Sequence, residues 1–285
     1  MNVEENEVRV ATTEGEHRGR YFIDATGQDR LLARQRRSVK PYRHFGKASV
    51  FTHYFDLTDE AIELIGEGND IRIMMIPDGW AWIIPLAGRK LSVGIVSRKQ
   101  GLKKEMLDEY FASSPLISQL IKGARRGETR MIGNYSFRNA IPYGARFACL
   151  GDSNCFIDPV FSSGVTLALT SAKEMVEVLA AALERGEEDD PELMRASHEA
   201  TAEGYETFAA LVYRFYNTKI VDNIFFNAPD DGSLRPAVTS VLGGNVFYGS
   251  NPFKEMLLAS KKRPWRDDEE ATESFDEGIE AEGII

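Results

Sequence analysis

Apolar and polar positions alternate over Val8-Arg9-Val10-Ala11-Thr12, the two-residue period of a half-buried strand. Glu14-Gly15-Glu16 reads as a turn, and Gly19 to Ala25 as a second strand with an apolar end at Tyr21-Phe22-Ile23. The polar break Thr26-Gly27-Gln28-Asp29 leads into a predicted helix from about Arg30 to Arg37, stopped by Pro41. Ala48 to Leu57 is rich in β-branched and aromatic residues. Ile71 to Ile76, Trp80 to Leu86 and Leu91 to Val96 continue a meander. Its turns, Pro77-Asp78-Gly79 and Ala87-Gly88-Arg89, are short enough for antiparallel hairpins. Helices are expected at about Lys103 to Ala112 and Pro115 to Lys122, with a further strand in Met131 to Arg138.

Phe147 to Leu150 predicts a short buried strand that ends on Gly151-Asp152. A loop runs to Ser163, and a long amphipathic helix is expected over about Gly164 to Glu184, ended by Gly186. Pro191 is placed to open the next helix, running to about Tyr216. Beyond Asn227 Pro and Gly recur, and the acidic run from Asp267 to Glu282 reads as disordered.

Composition narrows the field. The chain has 285 residues, 43% of them hydrophobic, enough for a sizeable core in one or two domains. A net charge of -10 repels nucleic acid and anionic membrane. Arg34, Arg36 and Arg37 read as a solvated helix end. The only cysteines, Cys149 and Cys155, are too few for a zinc site or a disulfide framework, so no metal is expected and a reducing cytoplasm fits. Met1 is followed by Asn-Val-Glu-Glu-Asn-Glu, which has no signal-peptide pattern, and no apolar run reaches bilayer-spanning length.

The most informative segment runs from Cys149 to Val165: a buried strand, a tight turn with a carboxylate, a loop stiffened by Pro159 and a helix start. Asp152 at the strand end is placed to accept hydrogen bonds from polyol hydroxyls. The helix start at Ser162-Ser163-Gly164-Val165 offers unpaired N–H groups and the positive end of a dipole, where an anion fits, and Gly164 permits close approach. The plain alternative is a strand–loop–helix connection capped by Asp152 and Ser162. Trp80, Trp82 and Ile84 fall on one face of a strand, followed by Pro85, and form either a bulky wall or ordinary core. His44 and His53 read as structural or exposed. Tyr205, Phe208, Tyr213, Phe215 and Tyr216 have the helical spacing of core, or could line a substrate cavity.

Gly151-Asp152, then Asp158-Pro159 and Ser162-x-Gly164, resembles the second flavin-binding motif of FAD-dependent monooxygenases, halogenases and related reductases. Phe156-x-x-Pro159-x-x-Ser162-x-Gly164 is similar to a flavin halogenase pattern, and so is Trp80-x-Trp82-x-Ile84-Pro85. Tyr21-Phe22-Ile23-Asp24-Ala25-Thr26-Gly27 looks like the family strand ending in Ala-Thr/Ser-Gly.

The resemblance implies FAD as cofactor, with Ala25, Thr26 and Gly27 near its ADP part, Asp152 on the ribityl chain beside Gly151, and Pro159, Ser162, Ser163, Gly164 and Val165 at the flavin edge. Ser163 and Gly164 would also hold halide. Trp80, Trp82, Ile84 and Pro85 would wall the flavin from an aromatic or carrier-tethered substrate. Oxygen-dependent chemistry at reduced FAD follows, with a separate flavin reductase as supplier. The implied fold is α/β: an incomplete FAD-binding Rossmann-like sheet of the glutathione-reductase type in residues 1–40 and 130–185, an inserted antiparallel substrate sheet in 41–129, a helical C-terminal region in 186–265 and an acidic tail in 266–285.

The family's Gly-x-Gly-x-x-Gly turn is not found: Gly15 and Gly19 do not make it, and Gly243 and Gly244 come too late. The halogenating lysine lies in that missing stretch, so no catalytic residue is assigned and N-terminal truncation is expected. The alternatives are an FAD monooxygenase or geranylgeranyl-reductase-like enzyme on the same fold, and a non-catalytic remnant or interaction protein. The long antiparallel insertion speaks against a generic nucleotide-binding module.

Overall fold

A computed structural model describes residues 2–4, 6–99, 101–225, 232, 234–247, 249–259 and 264–265. The tail expected at 266–285 lies outside them.

The meander forms the largest sheet. Its strands Ala48–Phe55, Arg72–Ile76, Gly79–Leu86 and Lys90–Ser97 are antiparallel, with Lys90–Ser97 paired on one side to Ala48–Phe55 and on the other to Gly79–Leu86. Arg125–Arg126 and Arg130–Gly133 close the outer edge against Ala48–Phe55. Alternation sorts its side chains. Ala81, Ile83, Val93 and Ile95 face a core built with Leu107, Phe111, Ile117 and Leu120 of the helices Glu105–Ser113 and Pro115–Leu120. Trp80 and Val96 face the other way, into a core with Phe45, Ile157, Phe208 and Phe215.

The second structural unit is a small sheet in which Phe147–Cys149 runs parallel to Phe22–Asp24 and antiparallel to Tyr143–Gly144. The Gly164–Arg185 helix covers one face through Met175 and Leu179, which pack on Ala148. The short helix Leu31–Gln35 covers the other, where Leu32 meets Phe147 and Cys149. The Arg195–Asn217 helix then packs along Gly164–Arg185 and carries Phe208, Leu211 and Phe215 into the larger core.

Several boundaries differ from expectation for identifiable reasons. Gly19 to Ala25 is two strands: Gly15–Gly19 pairs with Val8–Thr12, and Phe22–Asp24 joins the parallel sheet. Gly15 is itself paired to Thr12, so the hairpin turn lies before it rather than on it. Met131 to Arg138 also splits, because Arg130–Gly133 pairs with Ala48–Phe55 while Phe137–Asn139 pairs with Val39–Pro41 and Cys155–Phe156. Pro191 sits in a turn and the next helix starts at Arg195. The Asp59–Ile65 helix has a pattern too short to read, yet Thr58 caps it by accepting from Ala61 N at 3.3 Å. Beyond Asn227 two helices, Leu234–Leu242 and Pro252–Ala259, bury Val238, Val241, Phe253 and Leu257. No helix among the described residues is long and apolar enough to cross a membrane.

Candidate functional site

The parallel pairing of Phe22–Asp24 with Phe147–Cys149 puts Thr26-Gly27 and Gly151-Asp152 at the same end of the sheet. That end, where parallel strands stop, is where open α/β sheets bind ligands. Asp24, fully buried, organises it: Oδ1 accepts from Thr26 N at 3.0 Å and Thr26 Oγ1 at 2.6 Å, and Oδ2 from Leu32 N at 2.7 Å. Its backbone oxygen accepts from Leu150 N at 2.8 Å and from the Ser153 hydroxyl. Asp24 was not singled out from the sequence. The signal was available as an acid directly before Ala-Thr-Gly, ahead of a helix start.

Gly151 turns the chain with φ at +59°, and a Cβ there would lie 3.1 Å from Ala168 Cβ, so the turn rests against the long helix. Asp152 is half-buried. Burial raises its carboxyl pKa, and the neighbouring Gln28 amide partly offsets this. Both polar atoms of that Gln28 amide are buried, and among the described residues neither has a partner within full hydrogen-bond geometry, the approach to Asp152 included. A polar pair left like this beside a carboxylate suits a ligand with several hydroxyls.

The loop after Asp152 is held by Asp158. Its Oδ1 accepts from Val160 N at 3.0 Å; Oδ2 accepts from Gly46 N and from the Tyr216 hydroxyl, both at 2.8 Å. Burial pushes this carboxyl up to about 6 despite those donors. Ser162 adopts the left-handed region at φ +52°, and Gly164 then begins the 22-residue helix.

Neither Asp152 nor Ser162 caps that helix: the capping position is Ser163, whose side chain makes no capping bond. Asp158 instead caps the Pro159–Phe161 turn. The plain capping alternative is therefore not what the chain adopts, and the helix's first N–H groups are left for another acceptor. A Cβ on Gly164 would lie 3.8 Å from Asp152 Oδ1 and 3.4 Å from Phe156 Cε2, so carboxylate and helix start border one cradle. Ser163 is buried, Pro159 half-buried and Val165 70% exposed; Ala25 and Thr26 are exposed and Gly27 turns at φ +61°.

Trp80 and Trp82 share one strand face, with ring centres 5.7 Å apart. Trp80, 3% exposed, donates from Nε1 to Tyr216 Oη at 3.0 Å, and Tyr216 donates onward to Asp158. The tryptophan strand is thereby tied to the loop leading to Gly164. Trp82 donates to Ser92 Oγ at 3.1 Å, and Gly94 beneath it leaves room: a Cβ there would be 2.3 Å from Trp82 Cζ2. Ile84 and Pro85 continue the strand half-buried, away from this network. Phe208 and Phe215 are core; Tyr205 is partly buried against it, with a hydroxyl that has no hydrogen-bond partner among the described residues. Cys149 and Cys155 are free thiols, each pushed up to about 12 by burial.

Comparison with known proteins bears on this geometry. The tryptophan halogenase family profile matches residues 2–247. Sulochrin halogenase of Aspergillus terreus is 29% identical over 222 residues, 70% of this chain and 39% of that protein. The 1H-pyrrole-2-carbonyl-[peptidyl-carrier protein] brominase of Pseudoalteromonas luteoviolacea is 26% identical over 240 residues, 81% of this chain and 57% of that one. A flavoprotein/dehydrogenase structure from Cytophaga hutchinsonii superposes with a TM-score of 0.74 at 26% identity, covering 89% of this chain and 64% of that chain. The chain thus spans between about two fifths and two thirds of these relatives' lengths. With the profile running through both the Asp152–Gly164 cradle and the tryptophan strand, the chain belongs to the tryptophan halogenase family.

Proposed function

We propose that residues 1–285 form the flavin-edge and substrate-facing part of an FAD-dependent halogenase. One observation carries this reading: the Asp152 carboxylate and the uncapped helix start at Gly164 border a single cradle, with the unpartnered Gln28 amide beside Asp152. Asp152 accepts from ribityl hydroxyls, and Gln28 pairs with the same polyol. The N–H groups at Ser163, Gly164 and Val165 face the ring edge or a halide. Trp80 and Trp82 keep the organic substrate apart from the ring. When bound, reduced FAD supplies the electrons that activate oxygen. A separate flavin reductase delivers it, and the substrate is a small aromatic, free or carrier-tethered. Two free thiols fit a reducing cytoplasm.

The element that grips the ADP half lies, on this reading, outside residues 1–285. Exposed apolar surface supports it. Val165, Leu169 and Val176 lie on one face of the long helix and are 70%, 68% and 57% exposed. Ile23, on the same side of the small sheet, is 38% exposed, and among the described residues no strand pairs with the outer edge of Phe22–Asp24. A further strand and helix would cover both surfaces.

The test is titration of FAD against the chain, followed by flavin fluorescence and absorbance, alone and with Asp152→Ala. Binding that weakens at least about tenfold in the variant supports the cradle. A chain that stays colourless favours a non-catalytic remnant. Once a longer gene product is in hand, chloride-dependent product marks a halogenase, and hydroxylated product alone a monooxygenase.

A further inference from the structure

A concavity of about 300 Å³ opens beyond the Gly79 end of the tryptophan strand, lined among the described residues by Arg43, His44, Asp78, Arg98, Lys99 and Asn217. Its charge runs against the rest of the molecule. Among its described lining residues Arg43, Arg98, Lys99 and His44 stand beside a single carboxylate, Asp78, on a chain whose net charge is -10. The carboxylate is already engaged, since Lys99 Nζ lies 2.6 Å from Asp78 Oδ2.

Arg98 is differently placed. Its guanidinium lies over the Tyr216 ring, 4.9 Å from the centre, and Nη1 donates to Asn217 Oδ1 at 3.1 Å. Both partners are neutral, so among the described residues no carboxylate balances its charge. The backbone fixes it too, because Arg98 N donates to Asp78 O at 2.9 Å. His44 is held edge-on to Tyr213 with ring centres 5.7 Å apart. A stacked guanidinium keeps most of its planar fork of donors, which matches the paired oxygens of a carboxylate or phosphate. The fork is pre-organised, so little side-chain entropy is lost when an anion docks.

We infer that the Arg43–His44–Arg98–Asn217 cavity is a binding site for the carboxylate or phosphate group of a small organic anion. Tyr216 connects it to the site already described. One face of that ring carries Arg98, while its hydroxyl bonds Trp80 and Asp158. An anionic handle held here places the remainder of its molecule beside the tryptophan strand. Its identity as a substrate handle rests on the halogenase reading; anion binding itself does not.

The experiment is isothermal titration of the chain, without flavin and at low ionic strength, with benzoate, phenyl phosphate and neutral benzyl alcohol. Either anion should bind and benzyl alcohol should not, and the tighter of the two anions identifies the handle. Arg98→Gln should weaken the anion about tenfold. Asp78→Asn, which removes the carboxylate among the described lining residues, should tighten it by about two- to fivefold. Equal binding of benzyl alcohol, or an unchanged affinity in Arg98→Gln, overturns the site. Should Arg98→Gln fail to fold, Asp78→Asn decides alone: no tightening overturns it. Anion binding together with an FAD affinity that Asp152→Ala leaves unchanged would sink the halogenase reading and leave this site standing.

Discussion

Replacing Gly164 by Ala separates the fold from the cradle. The new Cβ would sit 3.4 Å from Phe156 Cε2 and 3.8 Å from Asp152 Oδ1, both ordinary contact distances, and Gly164 needs no left-handed backbone. The chain alone should therefore tolerate the methyl. A Gly→Ala change at a compatible helical position stabilises by about 0.4–1 kcal/mol, mainly by restricting the unfolded chain. For a chain of this size that raises Tm by about 1–4 °C. A flavin edge approaching the same point meets the methyl. Overpacking a tight contact costs about 1–3 kcal/mol, a loss of about 5- to 150-fold in affinity. The assay pairs a circular-dichroism melt with FAD fluorescence titration. A variant that melts at or above the parent and binds FAD more weakly is the expected outcome. Unchanged FAD affinity would refute the placement of the ring edge at Gly164, and a marked fall in Tm would refute the reading that the space there is open in the chain itself.

Gly94→Ala should behave in the opposite way, because its Cβ would come within 2.3 Å of Trp82 Cζ2 and 2.6 Å of Phe51 Cβ. We expect a loss of about 1–3 kcal/mol in urea unfolding, partly recovered by adding Trp82→Phe. Glu188, bridged to Arg20 at 2.6 Å and Arg146 at 2.8 Å, is lowered to about 2 from its ordinary 4.5. Its folded value lies below the unfolded one, so its contribution is complete above pH 4.5 and fades as pH falls toward 2. Glu188→Gln should lower the urea midpoint at neutral pH and flatten its fall on the acid side. Asp158 has the reverse sign. Its folded value, raised to about 6 from 3.8, gives a contribution complete below pH 3.8 and lost as pH rises through about 6. Asp158→Asn should flatten the stability profile across that window, and an unchanged slope there would count against Asp158 as the buried group that titrates.

Most of the antiparallel sheet could be read from residue order alone. Strand alternation puts Trp80 and Trp82 on one face and Ala81 and Ile83 on the other, and that is a local property of extended backbone. The same holds for the long helix, whose apolar period and terminal Gly186 define it without neighbours. The Asp152 turn and the Gly164 helix start were legible as separate elements for the same reason. Their closeness was not, because it depends on Gly151 resting against Ala168 and on Asp24 clamping two strand ends far apart in sequence. Only tertiary packing could decide that Ser162 and Asp152 leave the helix uncapped, that Asp158 joins Gly46, Val160 and Tyr216, and that Tyr216 links Trp80 to a cationic cavity. Local pattern sets which way each side chain faces. Which distant side chain it meets is set by how sheets and helices bury their apolar faces together.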